Sequence, residues 1–164
     1  MNTIDGSAAA GYDRRHGWLT LLLLLALVVG GGLVIGIVTR PGDWYAALVK
    51  PPFNPPNWIF GPVWTALYVF IAVAGWRISM RRPRHRPMTL WWLQLGLNFL
   101  WSPLFFAAHR IDLALGVIAL LLLAIIAFIV TAWRVDRIAS WLFAPYAVWV
   151  AFATLLNGSI LVLN

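Results

Sequence analysis

The sequence predicts an all-α integral membrane protein, a five-transmembrane-helix bundle with a proline-rich lid loop between helices 1 and 2. Three observations carry that expectation. The 164-residue chain is 62% hydrophobic and only 10% charged, with a mean hydropathy of +0.84, far from the composition of a soluble domain. Its apolar residues fall into runs close to the roughly 20 residues that cross about 30 Å of hydrocarbon, and short charged segments separate the runs. Between the first two runs, Pro51, Pro52, Pro55 and Pro56 exclude a helix interior, because proline lacks the N–H and its ring clashes with the preceding turn. The segment from Lys50 to Asn57 is therefore expected to be irregular and extended.

Residues 1–17 form a basic, polar amino-terminal tail ending in Arg14, Arg15 and His16. Residues 18–164 make one domain. Trp18 to Val38 is too long for a signal-peptide core and lacks a small-x-small cleavage site, so it reads as a retained first helix. Gly32-xxx-Gly36 places two small residues on one face of it, suited either to packing inside the bundle or to a homodimer seam. Helix 2 is expected over about Trp58 to Met80, with Pro62 in its first turns, where N–H groups lack helical partners. Helix 3 is expected from Met88 to Ala108, interrupted at Pro103. Helix 4 runs from Leu113 to Trp133 without a polar face, which predicts wide contact with lipid. Helix 5 covers Ile138 to Leu163 and contains Pro145.

With five crossings, Arg14, Arg15, Arg77, Arg81, Arg82, Arg84, Arg86, Arg134 and Arg137 lie on one side and Arg40, Lys50 and Arg110 on the other. The positive-inside rule then predicts a cytoplasmic amino terminus and an external loop 1. It also accounts for the net charge of +7 without nucleic acid, since the arginines form short clusters and no continuous basic face. The lipid bilayer is the first expected partner.

Polar chemistry is scarce. There is no cysteine or glutamate, and Asp5, Asp13, Asp43, Asp112 and Asp136 all fall in tails or loops. Ion pumping and carboxylate or metal catalysis normally place ionisable groups inside the spans, and Arg77 alone comes near, close enough to a helix end to snorkel. His16, His85 and His109 lack the spacing that puts two imidazoles on one helical face. No catalytic residue, metal site or cofactor is expected.

What remains is uncharged and aromatic. Trp91, Gln94, Asn98, Trp101 and Phe105 recur at three or four residues on helix 3, Trp149, Ala153 and Asn157 on helix 5, and Phe60, Trp64 and Tyr68 on helix 2. Such stripes have two readings. Amides and rings glue helices together, or several large rings prop the helices apart and leave a pocket for a planar ligand. An apolar ligand arriving from lipid gains little hydrophobic free energy, so stacking and polar contacts must select it. Lys50 and Arg40 are placed to meet an acidic group at the outer mouth or to snorkel at the interface.

Three separated motifs, WYAALVKPPFNPPNWIFGPVWTALY, LNFLWSPLFF and PYAVWVAFATLLN, closely resemble the TspO/MBR family, the tryptophan-rich sensory proteins also called translocator proteins or peripheral benzodiazepine receptors. The match covers about Gly30 to Asn157. The resemblance implies a five-helix bundle, often dimeric, that binds protoporphyrin IX, related tetrapyrroles and benzodiazepine-type drugs beneath loop 1. It implies Tyr45, Trp64, Asn98 and Trp149 as pocket lining, supported by Trp58, Tyr68, Trp101, Phe105 and Asn157. Loop 1, including Arg40, Lys50, Pro51, Pro55 and Pro56, would be the lid. Receptor, sensor or transporter is the expected function. The alternatives are light- and oxygen-dependent porphyrin degradation, or a structural membrane subunit whose rings only pack. Sterol binding is not carried over, because no Lys or Arg follows Arg137 to partner Tyr146.

Overall fold

The computed structural model describes residues 17–81 and 85–164, the His85 side chain excepted. The basic tail through His16, and Arg82 and Arg84 of the loop after helix 2, lie outside the described residues. Those described are helical or irregular, with no strand among them. Predicted helices 1 to 5 correspond to α1 (Gly17–Val38), α3 (Asn57–Ser79), α4 (His85–Ser102), α5 (Ile111–Trp133) and α6 (Arg137–Leu163), and a short helix, α2 (Asp43–Ala47), lies between the first two.

Helix α1, Gly17–Val38, widens into a π-turn over Ala26–Gly30. The glycines that follow explain how it packs. A Cβ on Gly31 would collide with the Phe99 ring and one on Gly32 with the Tyr68 ring, so this run receives two rings from neighbouring helices. Gly32 therefore serves packing inside the bundle.

The loop after α1 contains a short helix ahead of its proline-rich segment. Asp43–Ala47 forms a short helix, α2, with an acidic residue in its first turn, favourable to the positive end of the helix dipole. It stops at Leu48, whose backbone is extended. The Lys50 ammonium donates to the Ala46 and Leu48 carbonyls at 3.2 and 3.0 Å, satisfying acceptors freed at the helix end. From Leu48 to Pro56 the chain is irregular.

Helix α3 spans Asn57–Ser79. Because it starts at Asn57, Pro62 lies past the four free N–H groups and removes the partner of the Trp58 carbonyl. Helix α4, His85–Ser102, continues through a π-turn, Pro103–Ala107. Pro103 has no N–H to keep the α-helical ladder, and the wider turn accommodates that break. His109, at φ 56°, reverses the chain, with Arg110 N–H donating to the Leu104 carbonyl at 2.9 Å. Helix α5 follows as Ile111–Trp133 and α6 as Arg137–Leu163.

Helix α5 packs against both α4 and α6, and α3 against α6. Its expected wide exposure to lipid holds for one face only. Ala114, Ile118, Leu121, Ala124, Ile125, Phe128 and Ala132 are buried, while Leu120, Leu123 and Val130 face outward. Hydrophobicity cannot separate these faces. The small residues Ala114, Ala124 and Ala132 do mark the packed one, since small side chains let helices approach. The core centres on Val28, Ile71, Trp91, Phe128, Phe143 and Tyr146, all essentially inaccessible, with Phe128 and Phe143 rings 4.0 Å apart.

Among the described residues four helices, α1, α3, α5 and α6, are long and apolar enough to cross a membrane. The polar residues Gln94, Asn98 and Ser102 make α4 less apolar.

At the end near Gly17, Asp136 corrects the reading of Arg77 as a snorkelling cation. Its buried carboxylate binds Arg77 at 3.0 Å and Arg81 at 3.1 Å and accepts from Ala139 N–H at 3.1 Å. Burial opposes ionisation, but the Arg77 guanidinium, the Ala139 N–H and Arg81 outweigh it and hold the carboxyl below its ordinary value. One side chain thus caps α6 and ties it to α3.

Candidate functional site

Toward the opposite end, the helices enclose a cavity of ≈ 390 Å³, within the range of small-molecule sites. Helix α3 supplies Phe60, Trp64 and Tyr68, three successive i, i+4 positions on one face, and the α4 segment supplies Asn98, Trp101 and Phe105. Trp149, Ala153, Leu156 and Asn157 come from α6, Ile118 and Leu121 from α5, and Gly32 and Gly36 from α1. The loop contributes Pro41 and Tyr45.

Hydrogen bonds hold these walls in place. Tyr68 hydroxyl donates to Asn98 Oδ1 at 3.2 Å, Asn98 Nδ2 donates to the Tyr146 hydroxyl at 2.9 Å, and that hydroxyl donates to Gln94 Oε1 at 3.0 Å. The chain links α3, α4 and α6 through buried groups, where each bond matters because an orphaned polar group is costly. A second latch runs from Trp101 Nε1 to Asn157 Oδ1 at 3.1 Å and from Asn157 Nδ2 to the Ile111 carbonyl at 3.0 Å. A third joins Thr39 and Ser102 at 2.6 Å. Thr39 gives its proton to the Ile35 carbonyl, so Ser102 is the donor.

The rings meet mostly edge to face. Phe60 and Trp149 centroids are 5.8 Å apart at 69°, and Trp64 and Tyr146 6.2 Å apart at 71°, geometries favoured by the ring quadrupole. Two buried donors, Trp149 Nε1 and Gln94 Nε2, have no partner among the described residues. Trp149 belongs to the cavity wall. Its unused N–H is a group that a ligand acceptor would satisfy.

Of the residues singled out from sequence, Tyr45, Trp64, Tyr68, Asn98, Trp101, Phe105, Trp149 and Asn157 all line this cavity. Trp58 does not. It is 74% exposed, on the outer edge of α3 two turns from Thr65, where an amphipathic ring suits a membrane interface. Asn98 lines the wall with both amide atoms already engaged, so it orients Tyr68 and Tyr146.

The expected lid and mouth residues stand outside the cavity lining. Lys50 turns back onto α2 and sits 4.6 Å from the Tyr45 ring centroid, while Arg40 is exposed. Neither lines the cavity, nor do Pro51, Pro55 or Pro56. Tyr45 hydroxyl donates to Asn54 Oδ1 at 3.4 Å. Burial raises its pKa, with the Asn54 contact opposing.

Sequence reasoning missed Tyr146 as the junction of the buried hydrogen bonds. Its spacing from Trp149, Ala153 and Asn157 along one face of α6 was the available signal. The α1 wall and the Thr39–Ser102 contact had no comparable one.

The TspO/MBR family description matches residues 22–163. The chain belongs to the TspO/MBR family. Among its relatives, Protein CrtK of Rhodobacter capsulatus is 35% identical over 150 residues, covering 89% of this chain and 94% of that protein. The tryptophan-rich sensory protein of Cereibacter sphaeroides is 34% identical over 147 residues, covering 90% and 92%. The human translocator protein is 36% identical over 143 residues, covering 84% and 83%. The three motifs of the TspO/MBR resemblance supply most of the cavity wall, from Tyr45 to Tyr68, from Asn98 to Phe106 and from Trp149 to Asn157.

Proposed function

We propose that this TspO/MBR protein is a membrane receptor, sensor or transporter whose cavity takes planar aromatic ligands of the porphyrin type, protoporphyrin IX among them. The observation that carries the reading is the cavity itself: ≈ 390 Å³ walled by Trp64, Tyr68, Trp101, Phe105 and Trp149, with the Trp149 N–H unpartnered. Large rings at facing positions keep helices apart, and each offset stack on a planar ligand contributes about 0.5–1.5 kcal/mol. The names of the relatives, tryptophan-rich sensory protein and translocator protein, agree with sensing or translocation.

The proposal includes five crossings. With its π-turn, α4 is about 34 Å long at 1.5 Å per residue, and runs from the Arg81 end to the Tyr45 end, where Phe106 meets Tyr45 at 5.3 Å. Trp76 donates to the Gly17 carbonyl at 2.7 Å, so Arg77, Arg81, Arg134 and Arg137 share the amino-terminal end. Arg40, Lys50 and Arg110 occupy the other. By the positive-inside rule the amino terminus is cytoplasmic and loop 1 external. A homodimer would use a face other than Gly32, which Tyr68 already covers.

The test is titration of the purified protein with protoporphyrin IX. Tryptophan fluorescence is expected to quench saturably, and the Trp64→Ala/Trp149→Ala double variant to bind at least tenfold more weakly. Equal affinity in that variant would sink the assignment.

A further inference from the structure

The cavity wall is closed on three sides and open on the fourth. Every lining residue from α4, α5 and α6 is buried or half-buried. The exposed ones are Leu33, Gly36 and Ile37 of α1, Pro41 just after it, and Asn57, Gly61 and Thr65 in the first turns of α3. An added Cβ on Gly36 or on Gly61 would meet nothing within 4 Å. Two helices that form adjacent walls thus present bare backbone beside open space.

The packing of α1 explains the gap. Its π-turn, Ala26–Gly30, rests on α3, but beyond that turn Gly31–Val38 rests on α4. The Tyr68 ring fills the crotch between α1 and α3 against Gly32, leaving the space above it open. Gly61 and Thr65 lie about 6 and 12 Å into α3 at 1.5 Å per residue, within the roughly 15 Å depth of one hydrocarbon leaflet. The opening therefore faces lipid. Of its two polar side chains, Thr65 gives its hydroxyl proton to the Gly61 carbonyl at 2.9 Å, and Asn57 lies at the outer end, at the start of α3.

The loop, in contrast, is pinned. Val49 N–H donates to Asn164 Oδ1, and Asn164 Nδ2 donates to the Val49 carbonyl, both at 3.0 Å. Trp44 stacks on His109 at 4.1 Å and Phe53 meets Phe152 edge to face at 6.4 Å. These contacts tie the loop to α6 and to the α4–α5 turn, on the sides where the cavity is closed. Lifting it would break all of them.

We propose that ligand enters and leaves the cavity sideways from the bilayer leaflet at the loop end, through a portal between α1 and α3 whose width Gly36 and Gly61 set. This rests on the ligand reading above, and it restricts the ligands to molecules that partition into lipid. Both glycines belong to the exposed edge of the cavity lining, so a side chain at either obstructs passage and is read first in the rates.

The experiment follows protoporphyrin IX binding by stopped-flow tryptophan quenching with the protein in lipid nanodiscs. In the Gly36→Leu/Gly61→Leu variant, association and dissociation rates are both expected to fall at least tenfold, each by a larger factor than Kd changes. A second variant, Val49→Cys/Asn164→Cys, locks the loop to α6 in a chain with no other cysteine, and is expected to bind at the unmodified rate. Should the double leucine variant lose its helical spectrum, Gly61→Leu alone carries the test, with both rates again expected to fall by a larger factor than Kd changes. Unchanged rates in the folded leucine variant, or slowed binding in the loop-locked one, overturn the portal while the ligand site stands. Absence of saturable quenching in the unmodified protein overturns both.

Discussion

Replacing Asp136 separates two roles that one carboxylate performs at the amino-terminal end of the bundle. In Asp136→Asn the amide oxygen still accepts from Ala139 N–H, but the charge that holds Arg77 and Arg81 is gone. Breaking a fully buried pair costs about 3–5 kcal/mol. Arg77 is 24% exposed and Arg81 57%, so both guanidiniums recover solvation, and we expect about 2 kcal/mol. Asp136→Ala also removes the cap, worth about 1 kcal/mol, for a total of about 3. For a chain of this size each kcal/mol moves Tm by about 2–4 °C, so thermal unfolding in detergent should show losses of about 4–8 °C for Asn and more for Ala. The pH dependence has a definite sign. The folded carboxyl titrates below its unfolded value, near 3.9, so its stabilisation is complete above that pH and declines as pH falls through the folded value. Lowering the pH from 5 to 3 should therefore lower Tm more in the unmodified protein than in Asp136→Asn. Equal acid sensitivity in the two, or an unchanged Tm at pH 7 in the Asn variant, would refute the reasoning.

Two further variants probe the bundle. Gly75→Ala drives a methyl into the Trp91 indole, which is inaccessible and donates to the Ile71 carbonyl at 2.9 Å; overpacking should cost about 1–3 kcal/mol. Gly96→Ala, which meets nothing within 4 Å, should cost nothing in the same melt, so equal losses would discount the clash. Tyr146→Phe removes the hydroxyl between Asn98 and Gln94. These two residues lie one turn apart on α4 and can bond each other in its absence, so we expect about 1–2 kcal/mol, read in the same melt, from a site where an unsatisfied group costs about 1–3.

Much of the candidate site was legible as stripes. Phe60, Trp64 and Tyr68 recur at four residues, and helices of 3.6 residues per turn put them on one wall. Trp58, which belongs to no stripe and which only the family resemblance singles out, is exposed and does not line the cavity. No spacing rule shows that a lysine after a short helix will turn back to its carbonyls, as Lys50 does. The expected readings of glue and of pocket both describe real parts of the molecule: Gln94, Asn98 and Tyr146 join helices, and the rings above them leave space.

By itself, the amino-acid sequence determined where the helices run and which side chains share a face, because proline, apolar run length and the helical repeat act locally. Tertiary structure decided which faces turn inward. In hydrocarbon a leucine is as well solvated by lipid as by a neighbouring helix, so hydropathy carries no information about burial, and α5 could not be oriented from its composition. Only packing shows that Tyr68 wedges between α1 and α3 against Gly32, that the loop is fastened to α6, and that the cavity opens between two glycine-bearing helices.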